Sequence, residues 1–253
     1  MSAPAAPLEF LALKDISESY LEIVNPISRE KLLALGDVLD LRQDAGVIDF
    51  GCGYGEALML WAEHYGVRGV GVDIRRHACA RAERKLATRG LGERIEISCE
   101  DAAAFQFPRH GFDVAVCIGA TFIWHGFRQT LWALKAAVRE AGKIVVGEPH
   151  WRSAAVPPEF ARAQPSVHTE YELLHIAREE DLDLEYVVRA SHDDWDAYEA
   201  ANWRGLLAWL QEHPEHPHRA QVIGHLYQSQ DEYTRFGREH LGWAVYVLRP
   251  RQY

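Results

Sequence analysis

Residues 46–74 carry three closely spaced glycines, Gly51, Gly53 and Gly55, between a short apolar run and an amphipathic segment. The apolar run has the composition of a buried strand, and after the glycines apolar residues recur at helical spacing. Glycine suits such a loop because it accepts positive φ and lets a ligand approach the backbone. A second apolar run ends in Asp73, which places a carboxylate at the carboxyl end of the neighbouring strand. The pattern predicts a strand–loop–helix unit that binds a ligand at the edge of a parallel sheet.

The spacing of the glycines distinguishes two classes of nucleotide cofactor. Dinucleotide folds favour G-x-G-x-x-G, with the pyrophosphate at the helix N-terminus. Here the third glycine comes one residue early and Glu56 follows it. A carboxylate at the start of a helix repels a pyrophosphate but tolerates a cofactor that carries an amino group and a sulfonium. The spacing therefore favours a sulfonium nucleoside, and a nicotinamide cofactor is the more distant alternative.

The pattern Asp49-x-Gly51-x-Gly53-x-Gly55, followed by Asp73, resembles motifs I and II of the class I S-adenosylmethionine (SAM) methyltransferases. The resemblance implies an α/β fold: a Rossmann-like, doubly wound, mostly parallel seven-stranded sheet with helices on both faces. It also implies SAM as the cofactor, with S-adenosyl-L-homocysteine as the product. The cofactor-binding residues expected from the resemblance are Asp49, Gly51, Gly53, Gly55, Asp73, Ile74, Asp101, Ala102 and Ile118.

The expected adenine contacts are the least specific of this set. By the resemblance, the Asp101 carboxylate accepts from the adenine amine and the Ala102 N–H donates to the ring. The alternative role for Asp101 is to cap the next short helix, and the two roles are compatible.

Segments outside the cofactor loop resemble a poorly characterised bacterial group of small class I methyltransferases. These segments are IGATFIW (118–124), GEPHWR (147–152), WDAYEAANW (195–203) and FGREHLGWAVY (236–246). The resemblance extends over much of the chain, but it does not identify the methyl acceptor.

The chain divides into four parts. We expect an N-terminal helical cap over 1–45, a SAM-binding core over 46–190, a helical lid insertion over 191–241 and a final core strand with its tail over 242–253. The insertion separates two strands by about fifty residues, far more than an ordinary connection. Its aromatic residues mostly have helical spacing, which argues against a disordered loop.

Three titratable residues beyond the fourth and fifth strands are the candidate catalytic groups. His150 and Glu148 come first and His125 second, in case the acceptor must lose a proton. Glu148 has an alternative role in orienting its loop or binding an amine. The candidate substrate pocket consists of Tyr20, Trp124, Trp151, Trp195 and Tyr198. The alternative for these aromatic residues is ordinary packing, which in the insertion would fix the helices to the core.

Composition limits the partners. The formal net charge of -10 argues against a nucleic-acid substrate and favours a small molecule.

The four cysteines form no C-x-x-C pair, so we expect small buried residues in a reducing compartment. The histidines at 213, 216 and 218 lie between prolines in an expected surface turn, so we expect no metal. Residues 1–7 show no signal-peptide pattern and no run has membrane-spanning length, which predicts a cytoplasmic protein without a membrane partner. The oligomeric state is open.

The sequence thus predicts a transferase that moves a methyl group from SAM to O or N of a small-molecule acceptor by in-line displacement under the helical lid. The alternative is a SAM-binding regulatory or scaffold protein without turnover. This alternative stays open because no acceptor-activating motif of the N-P-P-Y type follows the fourth strand.

Overall fold

The structure is a computed structural model that describes residues 8–252. The expected absence of a signal peptide concerns residues 1–7, which lie outside the described residues. Among the residues that are described, no helix is long and apolar enough to cross a membrane.

A central eight-stranded sheet organises the chain. Its strands are β1 Gly46–Phe50, β2 Arg68–Val72, β3 Ile95–Ser98, β4 Phe112–Ile118, β5 Val138–Trp151, β6 His168–Thr169, β7 Leu182–Arg189 and β8 Leu241–Pro250. The main path runs β3-β2-β1-β4-β5-β8-β7, and β6 pairs with β5. Strands β1 to β5 are parallel, while β8 is antiparallel to both β5 and β7. The predicted mostly parallel sheet is confirmed, and the two-residue β6 adds an eighth strand.

The order of the strands reverses beside β1. The chain runs outward from β1 to β2 and β3, then returns to place β4 on the other side of β1. In an open α/β sheet, ligands bind beyond the carboxyl ends of the strands at such a reversal. The topology therefore puts the expected site at the ends of β1, β2 and β4.

The helices lie on both faces of this sheet and along its carboxyl edge. They are α1 Phe10–Ser17, α2 Arg29–Val38, α3 Glu56–Tyr65, α4 Arg76–Arg89, α5 Phe127–Ala137, α6 Pro158–Ala163, α7 Glu170–Glu179, α8 His192–Glu212, α9 Arg219–Glu232 and α10 Arg238–His240. Short 3₁₀ helices span Glu18–Tyr20 and Thr121–Trp124, and a π-helical turn spans Tyr233–Gly237.

Two helices have distinctive N-termini. The Ser28 side chain accepts from the Lys31 N–H and caps α2. The proline-bearing segment 156–165 contains α6. Pro158 occupies the first turn of that helix, where a missing N–H leaves no intrahelical hydrogen bond unmade.

Alternating side chains of each central strand pack into two apolar clusters. Val114 and Val116 of β4 belong to one cluster, and Ala115 and Cys117 belong to the other. A parallel sheet covered on both faces has this character. All four cysteines are free, but Cys99 is exposed, so the expectation that every cysteine is buried is wrong for that residue.

The insertion and the N-terminal helix share a third apolar cluster. Its buried members are Leu13 of α1, Leu206 and Leu210 of α8, and Val222 and Leu226 of α9. The backbones of α1 and α8 approach closely at Gly205, where an added Cβ would lie 2.3 Å from the Ser17 carbonyl oxygen. Helices α1, α8 and α9 therefore form one helical layer.

We predict that Gly205→Ala lowers the free energy of unfolding by about 1–3 kcal/mol, because the new methyl group would push α1 away from α8. Gly224→Ala is the matched control, since nothing lies within 4 Å of its added Cβ. It should raise stability by up to about 1 kcal/mol through helix propensity. Urea unfolding of the three proteins measures both effects, and equal stabilities for the two variants would contradict the proposed close packing.

Candidate active site

The glycine loop joins the end of β1 to the start of α3. Gly51, Gly53 and Gly55 have φ values of 73°, 56° and 69°, a region that favours glycine. An added Cβ would lie 2.4 Å from the Ala120 Cβ at Gly51 and 2.6 Å from the Val24 Cγ2 at Gly53. Both the backbone conformation and the packing therefore require glycine in this loop.

Asp73, at the end of β2, ties the loop to the neighbouring strand. Its Oδ2 accepts from the Gly53 N–H at 2.8 Å, and its Oδ1 accepts from the Arg75 N–H at 2.8 Å. The side chain is buried. Because each carboxylate oxygen carries two lone pairs, both oxygens can accept a further hydrogen bond from a ligand.

A cavity of about 290 Å³ opens at this edge of the sheet. The predicted cofactor residues that line it are Gly51, Asp73, Ile74, Asp101, Ala102 and Ile118. Its opposite wall comes from α1 and α8. Ile74 and Phe122, which are 56% and 66% exposed, are large apolar side chains on its lining. The cavity therefore offers apolar surface beside a buried carboxylate.

A smaller cavity of about 30 Å³ lies beside the glycine loop, and Asp49 and Gly51 line it. Burial and the neighbouring Asp73 raise the pKa of Asp49 to about 7. Gly53 and Gly55 line neither of these two cavities. Their contribution is the conformation of the loop.

The segment that follows α1 covers the loop. Val24 packs over Gly53, and the Asn25 Nδ2 donates to the Ile118 carbonyl oxygen at 3.2 Å. Asn25 also lies over Gly119, where an added Cβ would be 2.2 Å from its Oδ1. Asn25, which directly precedes Pro26, was not among the predicted site residues.

A buried ionic network forms part of the wall contributed by α1. The Glu18 carboxylate lies 3.2 Å from the Lys14 Nζ and 2.6 Å from an Arg75 guanidinium nitrogen. The Lys14 Nζ donates to the Tyr198 Oη at 3.3 Å. Burial lowers the pKa of Lys14, but Tyr198 and Glu18 outweigh it and raise the pKa above its usual range. Lys14 is therefore a protonated donor beside the cavity. No sequence motif predicts this position of Lys14.

Comparison with known proteins agrees with this geometry. Residues 47–142 match a family model described as a methyltransferase domain. The chain is 34% identical over 241 residues to the uncharacterised protein YjhP of Escherichia coli. The match covers 93% of this chain and 97% of that protein.

Two solved structures are also similar over nearly the whole chain. They are SAM-dependent methyltransferases from Geobacter sulfurreducens and Thiobacillus denitrificans, each in complex with S-adenosyl-L-homocysteine. The TM-scores are 0.90 and 0.89, at 33% and 32% sequence identity. The matches cover 98% and 97% of this chain and 100% of both others.

This chain belongs to the SAM-dependent methyltransferases. The motif resemblance that pointed to this family is confirmed, as is the predicted fold. The argument that the Glu56 charge disfavours a pyrophosphate is weaker than expected, because Glu56 pairs with Lys85 and Arg89. Its charge is offset within the protein and repels a ligand less than a free carboxylate would.

The methyltransferase brings two of the predicted substrate residues to the large cavity, Trp195 and Tyr198. The other three lie elsewhere. Tyr20 is exposed and carries the Arg204 guanidinium over its ring, at 4.3 Å. Trp124 packs edge-on against Phe50, and Trp151 against Phe160. These three aromatic side chains have packing partners in the fold, the alternative that the sequence left open.

None of the three candidate catalytic residues lines the two cavities. Glu148 is buried and accepts from the Thr121 hydroxyl at 2.9 and 3.0 Å. Burial raises the pKa of Glu148 to about 7, although the Thr121 hydrogen bond lowers it. His125 ends the 3₁₀ helix Thr121–Trp124 with a φ of 63°.

His150 is buried against the backbone of β8. An added Cβ at Gly242 would lie 2.3 Å from its Nε2, and the Glu170 Oε2 is 3.9 Å from the same nitrogen. Burial lowers the pKa of His150, which favours the neutral imidazole. Glu148 and His150 are alternate residues along β5, so both side chains project to the same face of the sheet.

Two remaining expectations concern Asp101 and the histidine-rich turn. The Asp101 Oδ1 accepts from the Ala103 N–H at 2.9 Å and closes a turn, in place of the expected short helix. His213 stacks on Trp209 with a centroid distance of 4.6 Å. Across residues 8–252, no group of three His, Cys, Asp or Glu side chains is arranged to hold a metal ion.

We predict that the Asp49 carboxyl makes the cofactor-free protein less stable as pH rises. Its folded-state pKa of about 7 exceeds the ordinary aspartate pKa of 3.8, so the folded state binds more protons between these values. The free energy of unfolding should therefore fall across that pH window and level off above it. Asp49→Asn should remove this component.

Urea unfolding of parent and Asp49→Asn between pH 4 and pH 8, without cofactor, tests the prediction. The difference between their free energies of unfolding at each pH isolates the contribution of Asp49, because Glu148 titrates in both proteins. Parallel pH profiles would show that the Asp49 pKa is not raised.

Proposed function

We propose that this methyltransferase transfers the methyl group of SAM to an oxygen or nitrogen atom of a small-molecule acceptor, under a lid formed by α1 and the insertion. The observation that carries the proposal is the 290 Å³ cavity, because motif residues of the core and Trp195 and Tyr198 of α8 line the same space. Ligand pockets of this kind combine apolar walls with a few polar groups.

The residues of the large cavity fit the cofactor. The free lone pairs of Asp73 suit the two ribose hydroxyls, and the exposed face of Ile74 suits a planar adenine. Asp101 and Ala102 lie on the same lining and supply the carboxylate and the N–H expected for the adenine edge. SAM, when bound, supplies an electrophilic methyl group.

Asp49 and the glycine loop fit the amino-acid end of the cofactor. The loop glycines leave room beside the backbone, and the buried Asp49 carboxyl lies next to it. Its raised pKa reflects burial without a cation, so a positively charged ligand group would stabilise the ionised form.

The acceptor side of the cavity is aromatic, with one polar corner. Trp195, Trp243 and Phe10 contribute apolar surface, while Lys14 and Tyr198 contribute an ammonium and a hydroxyl. Methyl transfer from a sulfonium is an in-line displacement, so positioning the acceptor supplies much of the rate. Closing the cavity with helices excludes water and strengthens the polar contacts that hold the acceptor.

Glu148 has the geometry of a positioning residue. It holds the Thr121 hydroxyl, and Thr121 directly follows Gly119 and Ala120 on the cavity lining. His150 and His125 are further candidates for proton transfer, to be compared with Tyr198 once an acceptor is known. One kinetic comparison separates these candidates: replacing an essential base slows turnover more than it weakens SAM binding.

We predict that Asp73→Ala weakens S-adenosyl-L-homocysteine binding by about 100-fold, because hydrogen bonds to a carboxylate contribute about 1.5–3 kcal/mol each. Isothermal titration calorimetry measures the change. Asp40→Ala is the control, since it removes the same charge from an exposed position. Equal affinity for parent and Asp73→Ala would remove Asp73 from the cofactor site.

We also predict turnover in a metabolite extract. Purified protein with SAM carrying a deuterated methyl group should produce at least one labelled small molecule, detected by mass spectrometry, and Asp73→Ala should not. A labelled O-methyl or N-methyl product would also identify the acceptor atom. Cofactor binding without any labelled product would favour a SAM-binding regulatory protein instead.

A further inference from the structure

A second large cavity, of about 240 Å³, lies inside the insertion. Helices α8 and α9, the π-helical turn Tyr233–Gly237 and Leu241 form its walls. Single π-helical turns within helices are frequent at functional sites. Trp195 lines both this cavity and the large cofactor cavity, so the two spaces meet at one side chain.

The sequence of the two helices directs polar residues into this space. His225, Gln228, Ser229 and Glu232 are spaced i, i+3, i+4 and i+7 and lie on one face of α9. Trp195 and Glu199 are four residues apart on α8. On this face of α9, Gln228 is exposed and the other three residues are half-buried. The cavity is therefore open to solvent on its polar side, where a polar ligand can enter.

The lining carries two carboxyl groups and no cationic side chain. The cavity has Glu199 and Glu232 on its wall and no Lys or Arg among its described lining residues. Glu232 accepts from the Gln164 Nε2 at 2.8 Å, whereas Glu199 has no hydrogen bond or ion pair within residues 8–252. Both side chains are half-buried, and even partial burial of a carboxylate is costly unless a cation compensates it.

The titration behaviour of these groups agrees with a missing cation. Burial raises the pKa of Glu199 to about 7; Lys14 lowers it and Glu232 raises it. Burial, together with Lys14, lowers the pKa of His225, so its imidazole is neutral at pH 7. A positively charged ligand would favour the ionised form of Glu199.

Aromatic rings complete the wall. The rings of Trp195 and Tyr233 lie 6.2 Å apart with an interplanar angle of 31°. The Tyr233 hydroxyl donates to the Asp196 Oδ1 at 2.6 Å, and Asp196 is not on the lining, so Tyr233 contributes its ring to the cavity. Trp195 is 8% exposed, and its indole N–H has no hydrogen-bond partner. Aromatic faces beside carboxylates are the chemistry that recognises ammonium groups.

A metal ion fits this site less well than an organic cation. Glu199, Glu232 and His225 are metal-ligand types, yet no three such side chains within the described residues converge into a metal-binding group. Metal coordination requires ligand atoms at about 2.0–2.6 Å from one centre. An organic cation is larger and can contact the same groups from the middle of the cavity.

We propose that this cavity binds an organic cation, a primary amine or a quaternary ammonium group, held by Glu199 and Glu232 and by the rings of Trp195 and Tyr233. The ligand has two possible sources. It is either the amine end of the methyl acceptor, reaching past Trp195, or a separate small molecule bound beside the transfer site. The site itself does not depend on which source is correct.

Calorimetry with charge-matched probes tests the proposal. The protein is first saturated with S-adenosyl-L-homocysteine, so that the cofactor site is filled. Choline is compared with its neutral isostere 3,3-dimethylbutan-1-ol, and 2-phenylethylamine with 2-phenylethanol. We expect at least one cation to bind about tenfold more tightly than its neutral counterpart, a difference within the range of a desolvated cation–π contact. If neither cation binds more tightly than its neutral counterpart, the proposal is wrong.

Matched variants locate the binding. Glu199→Gln should weaken binding of the cation by about tenfold, and Glu212→Gln should leave it unchanged, because Glu212 is exposed at the end of the same helix. Retained S-adenosyl-L-homocysteine affinity shows that each variant is folded. If Glu199→Gln does not fold, Glu232→Gln replaces it with the same expectation. Undiminished cation affinity in the folded variant would overturn the assignment to this cavity.

A methylation assay identifies the source of the ligand. With SAM in place of S-adenosyl-L-homocysteine, N-methylation of 2-phenylethylamine that Glu199→Gln slows would assign the site to the acceptor. Binding without methylation would assign it to a separate ligand. A failure of the proposed function is distinguishable, because it would appear in the first step as an absence of cofactor binding.

Discussion

The ligand edge of this protein depends on the Asp73 carboxylate, which accepts N–H donors from Gly53 and from Arg75. These two hydrogen bonds fix the glycine loop against the end of β2. The loop can adopt this path because its three glycines have positive φ. One buried carboxylate thus holds the loop in its conformation at the edge of the 290 Å³ cavity.

Helix α1, the segment that follows it and helix α8 cover the edge of the sheet at the glycine loop. The segment after α1 covers the loop through Val24 and Asn25, and α1 is packed against α8 at Gly205. Lys14 connects the two through the Tyr198 hydroxyl, and Glu18 connects α1 to Arg75. The 290 Å³ cavity and the 240 Å³ cavity of the insertion therefore share a single helical layer as part of their walls.

The predictions that succeeded rest on local physics. The glycine loop and the neighbouring strand that leads into Asp73 follow from backbone conformation and from the hydrophobic pattern of short segments. The substrate-side expectations depended on contacts between residues that are distant in sequence. Trp195 and Tyr198 reach the cavity, while Tyr20, Trp124 and Trp151 pack elsewhere. An aromatic side chain packs well against many partners, so its sequence position alone does not select one.

By itself, the sequence determined the family, the parallel sheet and the sheet edge where the glycine loop meets Asp73, because glycine spacing and hydrophobic period are properties of short segments. Only the tertiary structure decided which groups line the cavities. Lys14, Asn25 and Glu199 line them because α1, the segment after it and the insertion pack over the sheet. In the same arrangement, Glu148 and His150 lie outside the 290 Å³ and 30 Å³ cavities. The reason is physical: the burial, charge and pairing of a side chain are set by neighbours that are far away along the chain.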